Sequence, residues 1–251
     1  DGSTWHIQVP DSDGDTGHYA SLALDASGQP HISYCLYDGS GIDCVTLKYA
    51  THAGTGWQVA VVDATGYQGY YTSIAIAPDG FPHISYAGYD PANLYRASYD
   101  GLAWQIETVD NVASAGTSLA IDQAGQPRIA YVGEPGDRLL KYAYHDGTGW
   151  QIEVLDIDEL TGSDTSLALD QSGRPHIAYC DSRHELEYAS YDGARWLTET
   201  VDSMTQWGHM LPSLALDGGG RPHISYYGGT HLKYAYADGD AWQVQEGENV
   251  W

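Results

Sequence analysis

Apolar and polar residues alternate with a period of two in short runs, and the runs recur in a fixed order. Ser21-Leu22-Ala23-Leu24 is followed by Asp25-Ala26-Ser27-Gly28-Gln29-Pro30, then His31-Ile32-Ser33-Tyr34, then Leu47-Lys48-Tyr49-Ala50, then a segment opened by Trp57. Alternation of this kind predicts strands, and the Asp/Gly/Pro clusters between them predict turns. Trp5, Trp57, Trp104, Trp150, Trp196 and Trp242 mark the period, with spacings of 52, 47, 46, 46 and 46 residues. No window sustains a 3.6-residue period, so helix is not expected. Four short strands in a unit of this length cannot bury their own faces and must stack on further copies. The predicted fold is all-β, a single five-bladed β-propeller of four-stranded antiparallel blades over residues 1–251.

The inner strands begin at Ser21, Ser73, Ser118, Ser166 and Ser213, with Ser and Ala expected to face a central channel. The repeats run approximately over 5–56, 57–103, 104–149, 150–195 and 196–241. The Trp-opened outer strand then occurs six times against five copies of the other three, leaving one surplus. Residues 242–251 are the decayed copy, and Trp5-His6-Ile7-Gln8-Val9 is the copy expected to close the ring. Alternatives are that the chain is an excerpt of a longer repeat protein, or that the surplus strand pairs with a neighbouring molecule.

Charge narrows the partners. With 34 acidic and 10 basic residues the formal net charge is −24, which repels nucleic acid and anionic surfaces. No stretch approaches the ~20 apolar residues that span a membrane, so membrane insertion is not expected. No signal peptide is visible, and the chain begins mid-repeat as a mature or trimmed form would. Aromatic usage is 21 Tyr, 8 Trp and one Phe, a bias that suits half-exposed, sugar-stacking surfaces as well as cores. Cys35 and Cys44 flank a loop between two predicted neighbouring strands and are expected to form a disulfide, placing the protein outside the cell or on its surface. Cys180 is expected to be a small buried residue.

The run Ser-Leu-Ala-Leu-Asp-x-x-Gly-x-Pro-His-Ile-Ser-Tyr, with Leu-Lys-Tyr-Ala and Asp-Gly-x-x-Trp, resembles bacterial secreted and surface β-propeller repeats. Its Asp-x-x-Gly turn is similar to that of NHL-type repeats, and its Asp-Gly-x-x-Trp turn to that of Asp-box repeats. Five-bladed propellers of this broad kind include tachylectin-like sugar binders and arabinan-cleaving glycosidases. The resemblance therefore implies the fold for the whole chain and leaves the activity open.

Loops that diverge on a regular scaffold are where function is sought. Those leading into the inner strands offer His18, Tyr19, Tyr70, Tyr71, Asp164, Trp207 and His209, aromatic faces and polar groups suited to a neutral glycan. His31, His83, Arg128, His176 and His223 share one phase of the repeat. They form either a polar ring or inter-blade pockets, or else simply brace each blade. Asp11, Asp13 and Asp15 alternate as ligands for a hard cation such as calcium would, without the downstream Glu of an EF-hand. No other cofactor is expected, and no residue pair stands out as catalytic. The expected function is a non-catalytic extracellular binding module, carbohydrate-binding through rim loops or inter-blade pockets in the manner of a lectin or adhesin. Alternatives are a structural propeller whose partner is another protein copy, and a glycoside hydrolase or lyase.

Overall fold

The computed structural model describes residues 4–54, 56–134, 138–155, 161–181, 183–203, 210–239 and 241–247. All regular structure within them is strand. Five four-stranded antiparallel sheets follow one another along the chain, over 16–63, 68–110, 113–154, 161–203 and 213–246. Each sheet is wound from an inner strand through a second and a third to an outer strand, and each inner strand packs against that of the next sheet. The sheets are thus blades standing side by side.

Local chemistry sets the turns. In blade one the Asp25 carboxylate accepts the backbone N–H groups of Ser27 and Gln29, which closes the loop between inner and second strands. Asp122, Asp170 and Asp217 do the same in blades three to five. Gly28 completes that turn at φ 82°, a conformation that costs a glycine nothing.

The inner strands are the edges nearest the centre, and their outward backbone groups need partners. Neighbouring blades supply them through side chains. The Ser21 hydroxyl accepts the N–H of Ile74, Ser73 that of Leu119, Ser118 that of Leu167, and Ser166 that of Leu214. These serines, expected to face a channel, instead stitch each blade to the next. A second stitch runs from Thr72 to the carbonyl of Tyr19, from Thr117 to that of Tyr71, and from Thr165 to that of Gly116. Tyr19 and Tyr71 both sit at φ 52° and Gly116 at 62°. This left-handed turn interrupts the strand register and presents the carbonyl to the following blade.

A third link lies deeper. The Tyr86 hydroxyl donates to Asp63 (2.7 Å), Tyr131 to Asp110 (2.6 Å) and Tyr226 to Asp202 (2.6 Å). Each aspartate lies at or next to the end of the outer strand of one blade, and each tyrosine lies on the second strand of the next. Lys233 adds its ammonium to Asp202 at 2.9 Å, and Lys141 lies 3.6 Å from Asp110. Around these bonds pack the apolar faces: Leu47 and Val62 of blade one with Ile74 and Ile84 of blade two, and corresponding sets at the later seams.

Several expectations are corrected. The Trp242 segment is an ordinary outer strand of blade five, Ala241–Glu246, so the surplus copy is not there. Trp5–Val9 belongs to no sheet and closes no blade. Blade five makes no packing contact with blade one comparable to the other seams, so the described residues form an arc rather than a closed ring. The Asp11 carboxylate is engaged by Lys48 at 2.5 Å and by the Tyr34 hydroxyl at 2.8 Å. It plays the part that Asp63, Asp110 and Asp202 play at the later seams. Cys35 and Cys44 are bonded, with Cα atoms 5.7 Å apart, and Cys180 is free and buried, where burial pushes its thiol up to about 11.

The seam aspartates give two expected outcomes. Asp110→Ala takes one acceptor from the buried Tyr131 phenol and from the Lys141 ammonium and should cost about 1–3 kcal/mol in urea unfolding, whereas Tyr131→Phe should cost about 1 kcal/mol. Burial pushes the Asp202 carboxyl up, but hydrogen bonds from Tyr226 and Lys233 together with the ammonium charge outweigh it and leave it lowered. A carboxyl lowered on folding contributes stability that is full above its unfolded value and lost as pH falls through its folded one. Asp202→Asn should therefore flatten the acid limb of the stability–pH curve below about pH 4; an unchanged limb would contradict the assignment.

Candidate functional site

Successive blades do not meet flush along their whole length. Toward the end that carries the Asp-x-x-Gly turns, three seams among the described residues open into clefts. One between blades three and four, about 250 Å³, is lined by Arg128, Tyr142, Glu153, Arg174, Tyr191 and Trp196. One of about 250 Å³ between blades one and two is lined by Tyr49, Thr51, Gln58, Tyr99 and Trp104. The third, about 400 Å³ between blades four and five, is lined by Tyr188, Ser190, Glu199 and Trp242.

All three share one construction. The Trp that opens an outer strand meets, edge to face, a Tyr from the third strand of the preceding blade. Trp104 lies 5.2 Å from Tyr49 at 68°, Trp196 5.2 Å from Tyr142 at 69°, and Trp242 5.1 Å from Tyr188 at 70°. At two of the three the indole N–H is satisfied across the seam by a glutamate three residues after the preceding blade's own Trp: Trp196 donates to Glu153 at 2.8 Å and Trp242 to Glu199 at 3.0 Å, whereas Ala60 holds that position opposite Trp104. That bond fixes the indole plane.

The tyrosines are braced in turn by the residues of the shared repeat phase. The His31 ring nitrogen Nδ1 bonds the Tyr49 hydroxyl at 2.5 Å, His223 bonds Tyr234 at 2.5 Å, and His176 bonds Tyr188. The other nitrogen of His31 and His223 lies 3.6 Å from the turn carboxylates Asp25 and Asp217. Hydrogen bonds from Ser27 and the Gln29 amide hold the Asp25 carboxyl down at about 2. In blade three Arg128 takes the histidine's place, pairs with Asp122 at 2.7 Å and lies over the Tyr144 ring. The bonds of these five positions are made within their own blades, and of the five Arg128 also lines the cleft between blades three and four.

Blade two departs from the scheme. Arg96 stands where the other blades have tyrosine, and its guanidinium binds Glu107 at 2.5 Å and His83 at 2.8 Å. Glu107 is thereby drawn away from the Trp150 indole, whose buried N–H has no partner among the described residues.

The rim candidates fall at the opposite end of the blades. Tyr19, Tyr70 and Tyr71 do come together, with ring centroids 4.8 Å apart for Tyr19–Tyr71 and 5.9 Å for Tyr19–Tyr70. Tyr70 is buried and bonds Asp43 and the Cys44 amide, bracing the disulfide loop. His18 stacks on Tyr37 at 3.6 Å and bonds Asp15. Asp164 is on the inner strand of blade four, Thr161–Leu169. Trp207 and His209 lie outside the described residues. Asp11, Asp13 and Asp15 are not gathered to ligand distance. Among the described residues one trio is, Asp181, Glu185 and Glu187, with oxygens within 4.8 Å of one another. Asp181 there accepts the amides of Arg183 and Glu185, and Ser203 and Thr200 donate to the two glutamates.

Inter-blade pockets are among the expectations from sequence, but the Trp and Tyr residues that wall them were not named, although every member was visible. The recurring Trp marks the period, and nothing along one repeat says that it faces the tyrosine of the repeat before.

No protein-family model and no curated protein matches the chain. Its fold is that of solved β-propellers. It is 14% identical to the SapL1 lectin solved with alpha methyl fucoside, covering 90% of this chain and 78% of that one, at a TM-score of 0.64. It is 14% identical to the six-bladed lectin of Aleuria aurantia, described by a novel fucose recognition mode, covering 92% and 78% at 0.62. It is 10% identical to the alpha-L-arabinanase of Penicillium chrysogenum complexed with arabinobiose, covering 93% of each chain at 0.59.

Burial first, and the Arg96 charge second, hold the His83 imidazole down at about 4. Its ring resonances should therefore titrate near 4, and stability should decline as pH falls from the ordinary histidine range toward that value, because only the unfolded chain then takes the proton. A midpoint near 6.5 in NMR would contradict the Arg96 contact.

Proposed function

We propose that the protein is a carbohydrate-binding module and that its seam clefts are the binding sites. The observation that carries this reading is the recurrence of one wall, Trp against Tyr, at three seams that nonetheless keep open volume, with the indole pinned by a carboxylate at two of them. A packing contact alone requires no void. An aromatic face takes the C–H side of a sugar ring, while Glu153, Arg128 and Arg174 in the cleft between blades three and four present an acceptor and donors to hydroxyls. Each cleft is small, fitting one or two sugar rings, and repetition around the arc would convert weak contacts into avidity. The lectins that share the fold, solved with fucosides, support the same class of ligand.

Binding is favoured over glycoside hydrolysis by the carboxylate count. Hydrolysis needs two carboxyl groups about 5–10 Å apart across one pocket. Among the described residues, the three clefts show one glutamate, one glutamate and none. The disulfide supports an extracellular setting.

Isothermal titration with α-methyl fucoside and with arabinobiose tests the reading. Trp196→Ala should weaken binding at its cleft by about 10-fold or more, the ~1.5 kcal/mol of a lost aromatic contact. Trp150→Phe, at the seam whose glutamate is diverted, should leave binding unchanged. No heat from any neutral sugar at millimolar concentration would sink the proposal.

A further inference from the structure

The two ends of the arc carry matching halves of a seam. Leu22, near the end of the inner strand of blade one, is 62% exposed, whereas Ile74, Leu119, Leu167 and Leu214, in the same phase, are 6–9% exposed against the blade before them. At the far end Leu232 is 68% exposed, whereas Leu47, Leu94, Leu140 and Leu186 are wholly covered by the blade after them. Leu24 shares the exposure of blade one, where Ile32 is only half-buried while Ile84, Ile129, Ile177 and Ile224 are fully buried, and Tyr234 shares that of blade five. Among the described residues Tyr234 has its His223 brace but no Trp across from it, and Trp57 has no Tyr. These are unfinished versions of an interface the molecule builds four times elsewhere.

One strand of the missing neighbour is already present. Gln8 accepts the Trp57 indole N–H at 2.8 Å, the bond that Glu153 and Glu199 make to Trp196 and Trp242. Gln8 also lies three residues after Trp5, as those glutamates lie three after theirs. Asp11 takes the Tyr34 hydroxyl and the Lys48 ammonium, as Asp202 takes Tyr226 and Lys233. Trp5–Asp11 thus occupies the place of an outer strand ahead of blade one. Yet it pairs with no strand among the described residues, and Trp5 is 97% and Ile7 92% exposed.

We infer that the opening between blades five and one receives a sixth blade, made of an inner, a second and a third strand of this same repeat, with Trp5–Val9 as its outer strand. Such a unit presents a Leu/Tyr face to Leu22 and a Ser-Leu-Ala-Leu strand to Leu232. It would pair the idle edge of Trp5–Val9, and it would supply the Trp for Tyr234 and the Tyr for Trp57. The proportions agree: the chain spans 78% of a lectin that is six-bladed. A single repeat unit fits where a whole second arc would not, because the outer strand is already seated on one side.

The test joins residues 161–195, the first three strands of blade four with their Asp-Gly turn, directly ahead of Trp5. Amide exchange, apolar-dye fluorescence and light scattering are then compared between this chain and the parent. The proposal expects a monomer in which exchange at Ile7, Val9 and Leu22 slows by about 100-fold or more and dye binding falls. Unchanged exchange at Trp5–Val9 in a soluble fusion overturns it. Protection of those amides in the parent through dimerisation would make a second copy the occupant and overturns it equally. A disulfide formed readily between Leu22→Cys and Leu232→Cys in the parent would mean closure as five blades, and this too overturns it. Should the fusion misfold, Leu22→Asp in the parent decides: the opening is there only if this change is tolerated while Ile74→Asp is not.

Discussion

A strand at the centre of this molecule has no backbone partner on its inner side, and the rest of the structure is arranged around that lack. Inner strands of adjacent blades splay too far apart to share a ladder, so hydroxyl side chains reach across instead. Ser21, Ser73, Ser118 and Ser166 each take one amide of the following blade. Because the orphan donors are met by the neighbour, no blade is satisfied alone, and the repeat is obliged to continue. The same obligation explains the left-handed turns at Tyr19 and Tyr71, which aim a carbonyl at the next threonine.

Farther out the seam changes character. Where the apolar faces meet, leucine, isoleucine and tyrosine are buried and water is excluded, and the Tyr–Asp bonds of the seam are correspondingly short. Toward the turns the blades diverge and the Trp–Tyr pair props the gap open. The pocket is a by-product of blade geometry that side-chain choice then tailors. Glu153 and Glu199 make it polar, Ala60 leaves it bland, and Arg96 fills the position between blades two and three.

The strands and turns could be read from the chain because they depend on neighbours a few residues away: alternation for the strands, Asp25 and Gly28 for the first turn. The disulfide could be read for the same reason. The clefts could be read only as inter-blade pockets without walls, since Trp196 meets Tyr142, in the preceding repeat, and periodicity alone is silent on which phases face each other. Asp11 misled because Asp13 and Asp15 follow it in an acidic run. Without them, its position after Val9 and Pro10 matches that of Asp63 after Val62. The surplus strand was recognised as a count, but only the pairing of Ala241–Glu246 into blade five shows which copy stands outside the sheets, and only the bond from Trp57 to Gln8 shows where that copy sits.

Because every Trp–Tyr wall is drawn from two adjacent repeats, no repeat carries a complete cleft of its own. Genetic duplication of one unit would then copy two halves that are not each other's complement, and still leave one more whole cleft in the array. Divergence is coupled in the same way. A change in one Tyr alters the recognition shared with the following unit and leaves that unit's own tyrosine free to specialise. A molecule assembled on this plan can vary its ligand preferences pocket by pocket while its scaffold stays uniform.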